Sequence, residues 1–330
     1  MPSLHSVLRS VAAVACLAGS ASAAYTIEDV YDTNNFFSGF NFFSGPDPTH
    51  GFVDYADAPT ANVTSLAGYS SNAVYLGVDH TTVNPAGGRA SVRLESAKQY
   101  TQGLFIADIQ HMPNSECGLW PAFWTFGPNW PSSGEIDIIE GVNKQATNAV
   151  TLHTAQGCTM TNTGSNFGSV LYNANCNAGN GNIGCGQGTT ESKGYGDGFN
   201  GVGGGVYAMD WTSSAISIYF FRRDAIPADI TAGNPDPASW GPPQAAFTGS
   251  CDIDAHFKSH KIVFDTTFCG DWAGSVWGEQ CGSLASSCLD YVAQNPAAFS
   301  EAYWLINSVK VYRQAGVAKR DGVVAKAFLA

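Results

Sequence analysis

The chain has 330 residues, 44% of them hydrophobic, so it can bury a large core and is not disordered as a whole. Only 13% are charged, while 37 glycines and 12% aromatics suit an all-β secreted protein. A formal charge of −12 argues against nucleic acid or an anionic membrane as partner, since both would repel it, and leaves a neutral polymer or a small molecule open.

Residues 1–23 read as a secretory leader. Arg9 supplies the positive end, 11–18 is an apolar run too short to span a bilayer, and Ala21-Ser22-Ala23 fits the cleavage rule. Cleavage is expected after Ala23, which places the protein outside the cell; no other run approaches 18 apolar residues, so a soluble protein is expected, and a monomer. Asn62-Val63-Thr64 is a glycosylation sequon. Strands are expected at 74–79, 89–94, 104–111, 122–126, 135–140, 149–153, 206–211, 216–222, 261–265 and 304–312, from alternating or β-branched runs between Gly, Pro and Asn. The pair 206–211 and 216–222 flanks Thr212-Ser213-Ser214 as a hairpin. Residues 156–205 show no periodicity and read as a long surface loop held by disulfides. One helix is expected, at 284–294, stopped by Asn295-Pro296. About ten strands and almost no helix point to a sandwich or barrel. With no linker and no repeat, 24–316 reads as a single domain, followed by a tail at 317–330. Lys319-Arg320 in that tail is either a dibasic processing site or part of a frayed end.

Cys16 leaves with the leader, and eight cysteines remain, an even number that reads as up to four disulfides. Spacing does not choose among the pairings. Gly196-Asp197-Gly198-Phe199-Asn200-Gly201 fits a dinucleotide fingerprint, but no strand is expected before it and no helix after it. His256 and His260 lack the partners of a zinc site.

Glu135-Ile136-Asp137-Ile138-Ile139-Glu140 carries the chemistry. In a regular strand Glu135 and Asp137 share one face and Glu140 points away. One extra residue, a β-bulge around Ile138-Ile139, returns Glu140 to the carboxylate face. Three like charges on one face raise one another's pKa, a cost that a structural role does not explain. A retaining glycosidase needs this arrangement, with one carboxyl ionised and one protonated, roughly 5–5.5 Å apart. The competing reading, a solvated strand face, does not fit the isoleucines and valines around it.

Gly134-Glu135-Ile136-Asp137-Ile138-Ile139-Glu140-Gly141 resembles the signature of glycoside hydrolase family 16 in its bulged, laminarinase-type form. Leu119-Trp120-Pro121-Ala122-Phe123-Trp124, Thr151-Leu152-His153-Thr154, Gly88-Arg89-Ala90-Ser91-Val92-Arg93-Leu94 and Gly270-Asp271-Trp272-Ala273-Gly274 are similar to further segments of that family. Asp47-Pro48-Thr49-His50-Gly51 and Ala302-Tyr303-Trp304 resemble its fungal branch, and the likeness covers roughly 25–313. It implies a jelly-roll β-sandwich of two bent antiparallel sheets with a concave substrate cleft. It also implies an endo-acting hydrolase of β-1,3- and mixed β-1,3/1,4-glucans, with Glu135 as nucleophile, Glu140 as acid/base and Asp137 tuning both. A transglycosylase of the same family and a glucan-binding lectin are the alternatives. No cofactor is required; a structural calcium is compatible with the resemblance, though no Asp-rich loop demands one.

Sugar rings pack their C–H faces on aromatics, and their hydroxyls need polar partners. Trp124, Trp130, Trp272 and Trp277 are therefore assigned to the cleft, and Trp120 and Trp211 to the core. Arg93 and His153 are candidate hydroxyl partners, His153 equally a core histidine, with Asn41 and His50 as further candidates.

Overall fold

A computed structural model describes residues 25–161, 168–179 and 181–314. The expected leader and the tail beyond 314 lie outside the described residues. In chain order the strands are β1 (Tyr25–Asp32), β2 (Phe40–Phe43), β3 (Val53–Tyr55), β4 (Ala67–Ser70), β5 (Ala73–Leu76), β6 (Arg89–Ser91), β7 (Arg93–Ser96), β8 (Gly103–His111), β9 (Leu119–Phe126), β10 (Glu135–Glu140), β11 (Ala149–His153), β12 (Thr159–Thr161), β13 (Ser169–Asn173), β14 (Cys185–Thr189), β15 (Gly205–Trp211), β16 (Ile216–Arg222), β17 (Ala245–Ser250), β18 (Lys261–Phe268) and β19 (Trp304–Gln314).

They form the expected sandwich. One sheet of nine strands runs β12-β17-β16-β15-β8-β19-β5-β4, with β1 also on β19. The other, of eight, runs β13-β14-β11-β10-β9-β18-β7-β2, and β3 with β6 makes a short parallel pair beside them. Alternation explains how the two large sheets meet. Ile136, Val150, Leu152, Ile262 and Phe264 point inward from one sheet, and Phe105, Met209, Trp211, Ile216 and Ile218 from the other, and all are buried in one core. Trp211 is in that core, as expected. The opposite face of the eight-stranded sheet is left for the cleft.

Every expected strand exists, but the run 89–94 divides at Val92. Its first part pairs with β3 and its second with β18 and β2. The hairpin stands as read, closed by Thr212, whose Oγ1 accepts from the N–H groups of Ser214 and Ala215. The expected single helix is a correction in two respects. It is shorter, Cys288–Gln294, because the Ser287 hydroxyl caps Asp290 N at 3.1 Å. Other short helices occur, among them Ala58–Val63, capped by Asp57. The long loop is also corrected. It contains β12, β13, β14 and a helical turn at Gly196–Asn200, whose glycines and asparagines hid them.

Disulfides nevertheless hold that region. Cys158–Cys251 ties β12 to the end of β17, and Cys176–Cys185 staples β13 to β14. Cys117–Cys281 and Cys269–Cys288 cross-link a second, smaller core with Leu119, Phe268, Val292 and Phe299. All eight cysteines among the described residues are thus paired. The folded protein should therefore show no free thiol among these eight when denatured without reductant. Replacing Cys158 and Cys251 together with Ser should lower unfolding stability by about 2–5 kcal/mol. Free thiols in the native protein, or unchanged denaturant midpoints in the double variant, would contradict the pairing.

Candidate active site

The exposed face of the eight-stranded sheet carries a cleft of about 760 Å³. It runs from the loop at Asp47, Pro48 and Thr49, across β7, β18, β9, β10 and β11, to Tyr172 on β13. Glu135, Asp137 and Glu140 all line it.

The register of β10 shows how. Glu135 pairs with His153 and Phe126, and Asp137 with Thr151 and Trp124. The ladder then slips, so that Glu140 faces Ala149 and Ala122. Ile138 and Ile139 are both buried, at 1% and 0% exposure, where strict alternation would expose one. This is the bulge expected from the carboxylate spacing. Its backbone is closed by Asn148, which is fully buried. The Asn148 side chain accepts from Glu140 N–H at 2.8 Å and donates to the Ile138 carbonyl at 2.7 Å.

Each carboxyl has a defined environment. Trp120 Nε1 donates to Glu140 Oε1 at 2.8 Å, and Trp130 Nε1 donates to Glu135 Oε2. Burial pushes the Glu140 carboxyl well above the ordinary glutamate range, and Asp137 adds to this, while the Trp120 hydrogen bond pulls the other way. Asp137 is also raised well above its usual value, by burial first, then by the charge of Glu135 and a hydrogen bond with it. His153 Nε2 lies 3.4 Å from Asp137 Oδ2. His153 is thus a cleft residue, not a core one. Glu135, Asp137 and His153 bring ligand-type atoms within 4.8 Å of one another, the one such group among the described residues. Their chemistry could hold a cation or share a proton.

Beyond the carboxyls, the expected binding residues divide. Trp124, Trp130, Trp272 and Arg93 line the cleft. The Arg93 guanidinium lies 4.8 Å from the Trp124 ring and 4.6 Å from Phe43, and it donates to Glu95 Oε1 at 2.9 and 3.1 Å. Trp120 is a correction: it lines the cleft and meets Trp272 edge-to-face at 5.7 Å. Trp277 is the reverse correction. It is 6% exposed in the disulfide-linked core, with Nε1 on the Ala285 carbonyl at 3.1 Å. Asn41 points to solvent on the edge strand β2 and does not reach the cleft. His50 does not line it either. It pairs at 2.9 Å with Asp271, a rim residue, and that bond raises the imidazole pKa.

Several lining residues were not found by sequence reading. Asp265 is buried on β18, with Trp124 Nε1 at 3.3 Å and Tyr55 Oη at 3.4 Å, and burial lifts its pKa to about 7 against the opposing pull of Arg93. In the sequence Asp265 stands alone at the end of the apolar run Ile262-Val263-Phe264, with no second carboxyl to set a spacing. Asp47 is fixed by Thr49 and Thr267, and Thr151 and Tyr172 complete the far side. The glycine-bounded 196–201 motif is structural: its first residues form the helical turn itself, and a Cβ on Gly198 would lie 1.8 Å from the Ser192 carbonyl. His260 is a satisfied core histidine between Thr125 Oγ1 and the Ser133 carbonyl.

Comparison with known proteins identifies the family. The family model described as "XgeA-like, catalytic GH16 domain" matches residues 40–312. An endo-1,3(4)-β-glucanase of Arthroderma benhamiae is 50% identical over 306 residues, covering 90% of this chain and 67% of its own length. The chain spans from 41% to 67% of the length of the curated relatives compared with it. Among solved structures, an elongating GH family 16 β-1,3-glucosyltransferase is 47% identical at a TM-score of 0.84, over 88% of this chain and 100% of that one. Laminarinase 16A from Phanerochaete chrysosporium, with β-glucans in donor and acceptor sites, is 43% identical at the same TM-score and the same coverage of both chains. The sandwich is accordingly a jelly roll of their type. A bulged strand carrying three cleft carboxylates, on this fold and with these relatives, places the chain in glycoside hydrolase family 16, with an XgeA-like catalytic domain at residues 40–312.

Proposed function

We propose that this protein is a secreted endo-acting β-glucanase that hydrolyses β-1,3- and mixed β-1,3/1,4-glucans with retention of configuration. The observation that carries this reading is the bulged β10, which sets Glu135 and Glu140 on one cleft face with Asp137 between them. Glu135 attacks the anomeric carbon while Glu140 protonates the leaving oxygen. Water, deprotonated by Glu140, then releases the sugar with the β configuration restored. Asp137 shares a proton with Glu135 and steadies its orientation. We assign no cofactor, because the carboxyls supply both attack and proton transfer.

A cleft that crosses most strands of its sheet suits internal cleavage of a chain. Relatives named endo-1,3(4)-β-glucanase support the substrate class. The leader-like start and the paired cysteines support secretion, and no helix among the described residues is long and apolar enough to cross a membrane. Transfer to sugar instead of water is a second reading, favoured by the likeness to the elongating glucosyltransferase. Reducing-end release from laminarin and lichenan tests the class, and the two rates give the linkage preference.

Three predictions follow from the roles. Glu135→Gln should lower kcat by about 10³-fold or more, some 4 kcal/mol of activation free energy, while glucan binding by calorimetry stays near wild type. Near-normal turnover would remove Glu135 from the nucleophile role. Glu140→Ala should keep much of its glycosylation rate on aryl glucosides with activated leaving groups. Azide should rescue its turnover to a β-glycosyl azide, as read by NMR; an α-azide would exchange the two roles.

The third concerns pH. Catalysis needs Glu140 protonated, and its raised pKa keeps it so up to a higher pH than an ordinary glutamate. Activity should fall as pH rises through that value. Trp120 stabilises the ionised form, so Trp120→Phe should move the basic limb of kcat/KM to higher pH. An unmoved limb, or one moved downward, would rule out this coupling.

A further inference from the structure

The cleft has two unlike sides. On one side of the carboxyls stand Arg93 and Asp265, buried in the sheet, with the half-buried Trp124. On the other side lies the β13–β14 hairpin, where Tyr172 is 53% exposed yet lines the cleft.

Tyr172 is set there by its neighbours. Gly186 and Gly188 lie on the cleft face of β14, since Gln187 between them is buried. A Cβ on Gly186 would come within 2.0 Å of Tyr172 Cζ and 2.4 Å of its Cε2, and one on Gly188 within 3.9 Å of its Cδ1. The ring therefore crosses a lane that only glycines leave open. Gly in a strand weakens it and marks a close approach, here that of the ring. The Tyr172 hydroxyl lies 3.2 Å from Thr151 Oγ1, and Thr151 is opposite Asp137 in register. This contact turns the ring toward the carboxyls and leaves its other face to the cleft.

Oriented, half-exposed aromatic surface beside a reaction centre fits the C–H face of a sugar. The sugar that reacts must be gripped through the transition state, which suits the side where Arg93, Trp124 and Asp265 offer hydrogen-bonding groups. The sugar that departs or arrives in each cycle must be held weakly, which suits a ring with few polar partners. We propose that Tyr172 is an acceptor platform: it holds an incoming β-glucan over the glycosyl-enzyme and sets how much of that intermediate passes to sugar and how much to water. This rests on the retaining mechanism proposed above. In the transfer step an acceptor hydroxyl oxygen bonds to the anomeric carbon, the ester bond to Glu135 breaks and returns its electron pair to the carboxylate, and the hydroxyl proton passes to Glu140. Water does the same in hydrolysis.

The test compares wild type, Tyr172→Ala and Tyr172→Phe on an aryl β-laminaribioside, with laminaritriose added in steps as acceptor. Aryl release reports formation of the intermediate, and chromatography separates transfer from hydrolysis products. In Tyr172→Ala the acceptor concentration giving equal transfer and hydrolysis should rise up to about tenfold, the scale of one lost ring contact. The partition ratio does not depend on how fast the intermediate forms, so it is read even where the aryl group has lost its own contact with the ring, and Tyr172→Phe should transfer within about twofold of wild type. An unchanged partition in Tyr172→Ala overturns the proposal. So does a Tyr172→Phe that falls as far as Tyr172→Ala. Wild-type hydrolysis with no transfer at high acceptor overturns the platform but spares the hydrolase reading. No aryl release and no cleavage of laminarin or lichenan by wild type overturns both.

Discussion

Strand β10 must satisfy two demands that a regular strand cannot meet together. Its isoleucines have to fill the core between the sheets, and its carboxyls have to meet in the cleft. Period-two alternation would send Glu140 inward, toward the apolar core, where an ionised carboxylate is very costly. The bulge resolves this by sending Ile138 and Ile139 inward in succession. It leaves an N–H and a C=O without ladder partners, and such groups are expensive to bury unpaired. Asn148 closes both with one amide. Because Asn148 sits just before β11, the turn that returns the chain also fixes where Glu140 points. The reaction geometry therefore rests on a side chain that never touches the cleft.

The second constraint is electrostatic. Asp137 is crowded by Glu135 and by Asp265, and burial adds to the repulsion. A cation at each carboxylate would relieve this but would also hold every group ionised, which would remove the acid. The protein instead uses indole donors, Trp120 on Glu140 and Trp130 on Glu135. An indole N–H gives a hydrogen bond without a charge, so it orients a carboxyl, and at Glu140 the Trp120 bond only partly offsets the rise caused by burial. The Arg93 charge is meanwhile engaged by Glu95. The raised pKa of Glu140 thus survives next to a potential counter-ion only a few strands away.

Much of this was legible in the residues. The bulge followed from counting, since three carboxyls in six positions can share a face only if one residue is extra. The strands of the core followed from alternation, and β10, β11 and β16 have the expected ends. What failed did so for physical reasons. Trp120 and Trp277 exchanged places because a tryptophan's destination depends on which face of its strand or turn it occupies, and only the partner's register decides that. Asp265 went unremarked because a single acidic residue in an apolar strand has no spacing to argue from. Asn41 and His50 were placed by loop composition, which says nothing about direction.

The hairpin β13–β14 was illegible for a more instructive reason. Strand signals are signals of side-chain burial, and Cys185-Gly186-Gln187-Gly188-Thr189 has few apolar side chains to bury. Its glycines keep the cleft face empty so that Tyr172 can lie across it. The absence of pattern is therefore itself the functional feature: the residues needed to admit the ring are those that erase the period. Location reinforces this. β13 is the edge of its sheet, three strands from β10, and Cys176–Cys185 ties it locally instead of through the core. A change of side chain on that edge can alter what rests against the cleft without disturbing the bulge, the isoleucines beneath it or the indoles that hold the carboxyls. Chemistry is built into the packed middle of the sheet, and the choice of acceptor into its thin margin.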